Sequence, residues 1–202
     1  IVNDANGNLW FGAEEGLIKY DLANSQFSTY NPPVVNFGVP NASNHNSKRV
    51  FSLDYDSQGN ILLLTGIPTS INGPQSLLRI FDPINLTWQY WTHEDAPWWN
   101  ATQVTYAPVD IQASRDKDDR VWLSTNGGGI YWIDNRNWSS HQLNQIADFL
   151  RGWSHPNFTF DHIYTNLPDF TSNLYQDPDG DLWIIGSSGG DKNVYTHKYQ
   201  QP

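Results

Sequence analysis

The sequence predicts an all-β protein, a β-propeller, and three observations support this fold class. Short alternating apolar segments are separated by turns rich in Asp, Asn and Gly, as in antiparallel meanders. One turn-and-strand pattern recurs four times, and its equivalent positions 7, 59, 119 and 180 are 52, 60 and 61 residues apart. Each period has room for about four short strands, which is typical of propeller blades and not of helical solenoids.

The first copy of the pattern shows its parts most clearly. Asp4 and Gly7 belong to a turn, Leu9–Gly12 predicts a strand, and Gly16–Asp21 predicts the next strand after a second turn. Residues 27–30 alternate again and predict an outer strand. The corresponding turns of the later copies begin at Asp56, Asp116 and Asp177.

Large apolar side chains recur at one place in the pattern. This place is occupied by Trp10, Trp122 and Trp183 in three copies and by Leu62 in the second copy. A single blade cannot bury both of its faces, so neighbouring blades must cover them. We therefore predict that these tryptophans are structural wedges between adjacent blades.

The motif Asp-x-x-Gly-Asn-Leu-Trp-Phe-Gly, followed after a short gap by Gly-Leu-x-x-Tyr-Asp, resembles the two-component regulator propeller repeat. It is more distantly similar to the propellers of the streptogramin B lyases. The first and fourth copies carry the motif best, whereas the second and third contain long insertions. The first resemblance implies an extracytoplasmic sensor propeller of a hybrid histidine kinase, with an oligosaccharide as its ligand.

We predict a single β-propeller domain over residues 1–202. Its four recognisable blades are expected at about 1–48, 49–108, 109–171 and 172–202, with an insertion at 141–169. Four blades are at the low end for a closed ring. We therefore expect the chain to be part of a larger ring, a longer polypeptide or an oligomer.

Residues 141–152 break the strand pattern of the third blade. Apolar residues at helical spacing predict a short helix that ends near Gly152. These apolar residues are Leu143, Ile146, Ala147 and Leu150.

Composition excludes several classes of function. The formal net charge is −10, so a basic nucleic-acid footprint is absent. No apolar run approaches the roughly 18–20 residues of a membrane-spanning helix. The absence of cysteine excludes disulfides, a thiolate metal site and a cysteine nucleophile.

Several features favour an exported protein located in the periplasm, at the cell surface or outside the cell. Ten Trp and ten Tyr among 202 residues fit an extracellular β protein that stacks on sugars. Five Asn-x-Ser/Thr triplets fall on segments that resemble loops and are candidate glycosylation sites. Their acceptor residues are Asn41, Asn85, Asn100, Asn137 and Asn157.

A group of aromatic residues with one histidine follows the outer strand of the second blade. Aromatic faces beside polar groups suit carbohydrate rings, so we predict a ligand site here for an oligosaccharide or, alternatively, a protein partner. Packing at a blade edge is the simpler alternative. The candidate residues are Trp91, His93, Trp98, Trp99 and Tyr106.

Two kinds of catalytic or metal chemistry have weaker sequence support. Asp177, Asp179 and Asp181 resemble part of a calcium loop, although the distal Glu of such loops is missing, and a tight hairpin turn explains them as well. His155 and His162 share an insertion with acidic residues, but they do not match the catalytic histidine motif of the lyase family. We predict no other cofactor and no catalytic residue.

The sequence thus favours a non-enzymatic, extracytoplasmic recognition or sensing propeller. One alternative is a structural subunit of a secreted or surface assembly or fibre, because open contacts between identical units build filaments. The other is a metal-dependent lyase of the streptogramin-lyase type.

Overall fold

A computed structural model of the protein shows four antiparallel sheets, and no helix occurs among the residues that it describes. Those residues are 1–33, 48–67, 75–91, 108–113, 120–125, 129–134, 144–148, 153–154, 170–179, 181–187 and 194–199. The prediction of an all-β chain is confirmed.

The first two sheets are four-stranded meanders, in which each strand pairs with the next one along the chain. The first sheet contains β1 (Val2–Asn3), β2 (Leu9–Ala13), β3 (Gly16–Asp21) and β4 (Gln26–Tyr30). The second contains β5 (Val50–Tyr55), β6 (Ile61–Ile67), β7 (Gln75–Asp82) and β8 (Thr87–Trp91).

The third and fourth sheets continue the same connectivity. The third contains β9 (Pro108–Ala113), β10 (Arg120–Thr125), β11 (Gly129–Asp134), β12 (Asn144–Asp148) and β13 (Trp153–Ser154). The fourth contains β14 (Phe170–Gln176), β15 (Leu182–Ser187) and β16 (Val194–Tyr199).

The sheets stack face to face in chain order. Strand β2 contacts β5, β5 contacts β9, and β9 contacts β14, so the first strands of the sheets run along the inside of the stack. The four sheets therefore have the arrangement of propeller blades.

The core between the first two sheets is built around Trp10, which has no exposed surface. Its indole lies 5.9 Å from the ring of Phe81 in β7 and 5.5 Å from that of Tyr30, measured between ring centroids. Val50, at the start of β5, belongs to the same cluster. A side chain of the first sheet thus fills the space in front of the second.

The other residues at the wedge position differ in burial. Trp122 and Leu62 are also fully buried, whereas Trp183 in the fourth sheet is half-buried.

The helix predicted at 141–152 is wrong. Residues 144–148 form β12, which pairs with β11 and with β13. Leu143, Ile146, Ala147 and Leu150 span only about two helical turns, and a helix of this length is marginal without packing. The open edge of β11 offers backbone hydrogen bonds along a strand, and this pairing overrides the local pattern.

Candidate functional site

The first group of polar contacts lies in the turn between the first and second strands of a sheet, and this turn recurs in more than one sheet. The Asp4 carboxylate accepts hydrogen bonds from the backbone amides of Asn6 and Asn8, both at 2.9 Å, and from the side-chain amide of Asn8. It also accepts the indole N–H of Trp10 at 2.9 Å. One carboxylate therefore holds both the turn and the wedge residue.

The fourth sheet repeats the backbone and indole hydrogen bonds of this clamp, while Asp181 stands in the place of Asn8 and has no side-chain amide to donate. Asp177 accepts the backbone amides of Asp179 and Asp181, at 3.1 and 2.9 Å, and the indole N–H of Trp183 at 2.8 Å. The second sheet has the backbone part of the clamp at Asp56, while Leu62 replaces the tryptophan. The turn chemistry predicted for these aspartates is what the structure shows.

The calcium candidate coincides with one of these clamps. In the described ranges, no three His, Cys, Asp or Glu side chains are arranged to hold a metal ion. The Asp177 carboxylate faces the indole and amide donors of its own turn. A calcium ion at Asp177, Asp179 and Asp181 stays a prediction.

The second polar constellation lies on the inner strands and joins three sheets. Asp110 of β9 accepts a short hydrogen bond from the Ser52 hydroxyl of β5 and another, at 2.7 Å, from the backbone amide of Leu174 in β14. Its own neighbour Ile111 donates a backbone amide at 3.0 Å. Burial raises the pKa of Asp110, and these three hydrogen bonds only partly offset the effect.

A parallel contact lies two residues further along both strands. The Asp54 carboxylate accepts the side-chain amide of Gln112 at 2.6 Å and the backbone amide of Tyr55 at 2.8 Å. The first strand of each sheet has one edge without a neighbouring strand, and its amides need other acceptors. The inner aspartates supply these acceptors.

Two clefts open beside this inner network. One, of about 450 Å³, is lined by residues from all four inner strands, including Val2, Asp54, Asp110 and Gln176. The other, of about 700 Å³, lies between the turns that follow β1 and β5. Both linings mix apolar side chains with three aspartates, and no Lys, Arg or His is among the described residues that line them, so the charged side chains of both clefts are acidic.

The predicted aromatic site is only marginally included in the structure. Trp91 is the last residue of β8, and its backbone pairs with Leu78. His93, Trp98, Trp99 and Tyr106 lie outside the described residues, as do His155 and His162. The aromatic ligand site therefore stays a prediction.

Of the five glycosylation candidates, only Asn85 lies among the described residues. It is exposed in the turn between β7 and β8, and its side-chain amide donates to Asp82 at 2.7 Å. Asn24 makes the same contact with Asp21 at 3.0 Å in the corresponding turn of the first sheet. Asn85 therefore has a structural role in its turn, and glycosylation at this residue stays a prediction.

The inner network was not predicted from the sequence. The contacts of Asp110 with Ser52 and Leu174 join residues that are 58 and 64 positions apart. The available signal was the presence of polar residues in otherwise apolar inner strands, namely Ser52, Asp54, Asp110, Gln112 and Gln176.

No protein-family model and no curated protein matches the chain. Solved structures match it in fold. PorZ, a bacterial surface component of the type-IX secretion system of Porphyromonas gingivalis, has a TM-score of 0.58 at 12% identity. The extracellular domain of the putative hybrid two-component system BT4673 from B. thetaiotaomicron has a TM-score of 0.57 at 16% identity. A putative gluconolactonase has a TM-score of 0.50 at 11% identity.

These matches show the fold alone, and they confirm the β-propeller. They include 96%, 98% and 99% of this chain, respectively. The chain spans 24% of PorZ, 24% of the BT4673 domain and 62% of the putative gluconolactonase. None of the described residues forms a helix with the length and apolar character that a membrane crossing requires.

Proposed function

We propose that this chain is a non-enzymatic recognition module of an extracytoplasmic protein and that it binds an oligosaccharide. The observation that carries the non-enzymatic part of the proposal is the use of the inner carboxylates. Asp54 and Asp110 accept hydrogen bonds from neighbouring strands, and the turn aspartates hold their own turns. A general acid or base must reach the substrate's reacting atoms, whereas these groups are engaged in the scaffold.

The likeness to known propellers supports an extracytoplasmic location. PorZ is a bacterial surface component, and the BT4673 structure is an extracellular domain of a putative hybrid two-component system. The resemblance of the repeat motif to sensor propellers points the same way. A rigid stack of sheets with loops between them suits recognition, because binding residues are commonly carried by loops on a rigid scaffold.

The oligosaccharide is inferred from the aromatic segment that follows β8. Trp98 and Trp99 stand in a stretch flanked by Pro97 and Pro108, close in sequence to His93. Indole rings stack on the apolar faces of sugar rings, while nearby polar groups bind the hydroxyls.

The test is a binding screen of the chain against an oligosaccharide array, followed by titration calorimetry on the ligands found. Trp98→Ala combined with Trp99→Ala should reduce affinity at least about tenfold, as expected when buried aromatic anchors are removed. Phe27→Ala is the matched control, since Phe27 is 70% exposed on an outer strand of another sheet. Full affinity in the double variant would refute the aromatic site.

A further inference from the structure

The first sheet has an apolar face on the side that points away from the second sheet. Trp10 and Leu17 lie on its other face, which packs on the second sheet, and both are fully buried. Side chains alternate between the two faces along a strand, so the neighbours of these residues point the opposite way. We call this opposite surface the outward face. It is formed by Leu9, Phe11, Ile18, Tyr20 and Phe27.

The outward face is accessible to solvent. Phe27 is 70% exposed, and the other four residues are half-buried. The rings of Tyr20 and Phe27 form a pair, with 4.6 Å between their centroids. Apolar residues that adjoin each other at the surface in this way are typical of an interaction site.

The second sheet has a face of the same construction, and there the face is covered. Its ring pair, Phe81 and Trp88, has a centroid separation of 4.5 Å. Phe81 is only 1% exposed, because Trp10 of the first sheet packs on it at 5.9 Å between ring centroids. The structure therefore shows what such a face accepts, namely the tryptophan-bearing face of another sheet. By register, the positions of Leu9, Phe11, Tyr20 and Phe27 correspond to Ile61, Leu63, Phe81 and Trp88.

The fourth sheet has a tryptophan-bearing face of the same kind. The indole N–H of Trp183 is held by the same clamp as that of Trp10. Trp183 pairs with Lys198 in the backbone register, as Trp10 pairs with Lys19. Trp10 is fully buried between two sheets, whereas Trp183 is half-buried. The chain thus has one sheet that carries a wedge and another sheet whose outward face can accept one.

We propose that the outward face binds the fourth sheet of a second copy of this chain, so that Trp183 of one copy packs on the Tyr20–Phe27 ring pair of the other. The contact joins two different surfaces, and each copy has one of each. Two such contacts close a ring of two copies with four sheets from each. A total of eight sheets lies within the usual range of about four to eight blades for a propeller. The inference does not depend on the oligosaccharide, because the residues proposed to bind it follow the second sheet.

The experiment is sedimentation velocity of the wild-type chain over a series of micromolar concentrations at physiological ionic strength. We expect a particle with twice the mass of the chain. In Phe27→Asp the contact would have to bury a carboxylate against aromatic rings, which is unfavourable. Loss of an aromatic anchor weakens a contact by about tenfold or more. Since the ring contains two such contacts, its dissociation constant should rise by about a hundredfold.

Ile84→Asp is the matched control. Ile84 is 84% exposed in the turn between β7 and β8, which belongs to another sheet. The control introduces the same charge at an exposed apolar residue, and it should leave the dissociation constant unchanged. Thermal unfolding of each variant checks that it is folded before its mass is measured.

A mixture of two variants tests whether the contact joins different surfaces. Trp183→Ala removes the wedge and should also abolish the dimer. Phe27→Asp mixed with Trp183→Ala should associate more tightly than either variant alone, because a mixed pair retains one contact in which both surfaces are native. If Trp183→Ala does not fold, Trp183→Phe, which shortens the wedge, takes its place in the mixture.

Several results would overturn the inference. A wild-type chain that stays monomeric throughout the concentration series would show that the outward face binds no second copy. A dimer that is lost in Phe27→Asp but retained in Trp183→Ala would mean that two outward faces meet each other. Equal weakening by Ile84→Asp and Phe27→Asp would assign the effect to charge alone. Particles whose mass grows without limit would overturn the closed ring.

Discussion

Two aspartates of this protein have pKa values that are shifted from the ordinary value in opposite directions. The direction at each residue depends on the balance between burial and hydrogen bonding. Burial would raise the pKa of Asp4, but hydrogen bonds from Asn8, Trp10 and the turn amides outweigh it and lower the pKa. At Asp110 burial is the stronger effect, and the pKa is raised. The two residues therefore affect stability with opposite dependence on pH.

The Asp4→Ala variant should lose about 1–3 kcal/mol of unfolding free energy, because the fully buried indole N–H of Trp10 is left without its acceptor. Asp21→Ala is the control: Asp21 also caps a turn, through Asn24, but its partners are exposed. Urea unfolding at neutral pH measures both. Equal losses in the two variants would show that the indole contact contributes nothing.

The pH dependence of Asp4 follows from its lowered pKa. Its contribution is fully present above the pKa of the unfolded chain and is lost as pH falls through the lower folded value. The difference in urea midpoint between wild type and Asp4→Ala should therefore narrow in the acid range. A constant difference down to the acid limit of folding would contradict the lowered pKa.

Asp110 should behave in the opposite way. Its raised folded pKa means that its contribution is full below the unfolded pKa and is lost as pH rises through the folded value. The side chain in Asp110→Asn cannot ionise. In this variant the urea midpoint should therefore no longer fall as the pH is raised from about 4. An unchanged pH profile would show that another group causes the decline.

At the scale of single elements, the turns were predictable because their chemistry is local. Asp4 and Gly7 act within one turn, and Gly7 has a φ of 80°, a value that glycine adopts without strain. The strand β12 was not predictable in this way, since it forms only because β11 offers an open edge. Local spacing at 141–152 contained no information about that edge.

The turn between the third and fourth strands has its own repeated chemistry. Asp82 and Asn85 in the second sheet hold it as Asp21 and Asn24 do in the first. The sequence repeats this spacing at Asp134 and Asn137, which lies outside the described residues. The acceptor asparagines of two of the five candidate glycosylation triplets, Asn85 and Asn137, thus share this Asp-x-x-Asn spacing in the sequence.

Close approach of two elements makes Gly12 sensitive to substitution. A Cβ atom there would lie 2.7 Å from Cγ1 and 2.9 Å from the carbonyl oxygen of Val50, so β2 and β5 would have to separate. Gly12→Ala should cost about 1–3 kcal/mol in urea unfolding. Val50→Ala should rescue only part of this loss, because the carbonyl contact remains. Complete rescue would mean that the side chain alone causes the conflict.

At the scale of the whole molecule, the blade architecture could be predicted from the sequence, while the contacts between blades could not. The period and the turn residues are readable along the chain. The inner network, in contrast, joins Asp110 to Ser52 and Leu174 across the stack of sheets. Such contacts depend on which inner strands lie side by side. Polar residues in the inner strands indicate that such contacts exist, but the sequence does not show which residues they join.

The order in which the sheets stack determines which sheets are destabilised when a substitution weakens one interface. Stability of stacked repeats is approximately a sum of the units and their nearest-neighbour interfaces. Trp10 fills the interface between the first two sheets and is fully buried, so Trp10→Ala should cost about 3–5 kcal/mol. Trp183 is half-buried in the fourth sheet, and Trp183→Ala should cost less.

Amide hydrogen exchange can show which strands lose stability in each variant. In Trp10→Ala the amides of β2 and β3 should exchange faster, while those of β10 and β15 keep most of their protection. The reason is that the first sheet contacts mainly the second. Trp183→Ala should show the reverse distribution, with β15 and β16 released first. Uniform loss of protection across all four sheets in both variants would mean that the stack unfolds as one cooperative unit, and nearest-neighbour coupling would then be the wrong description of this propeller.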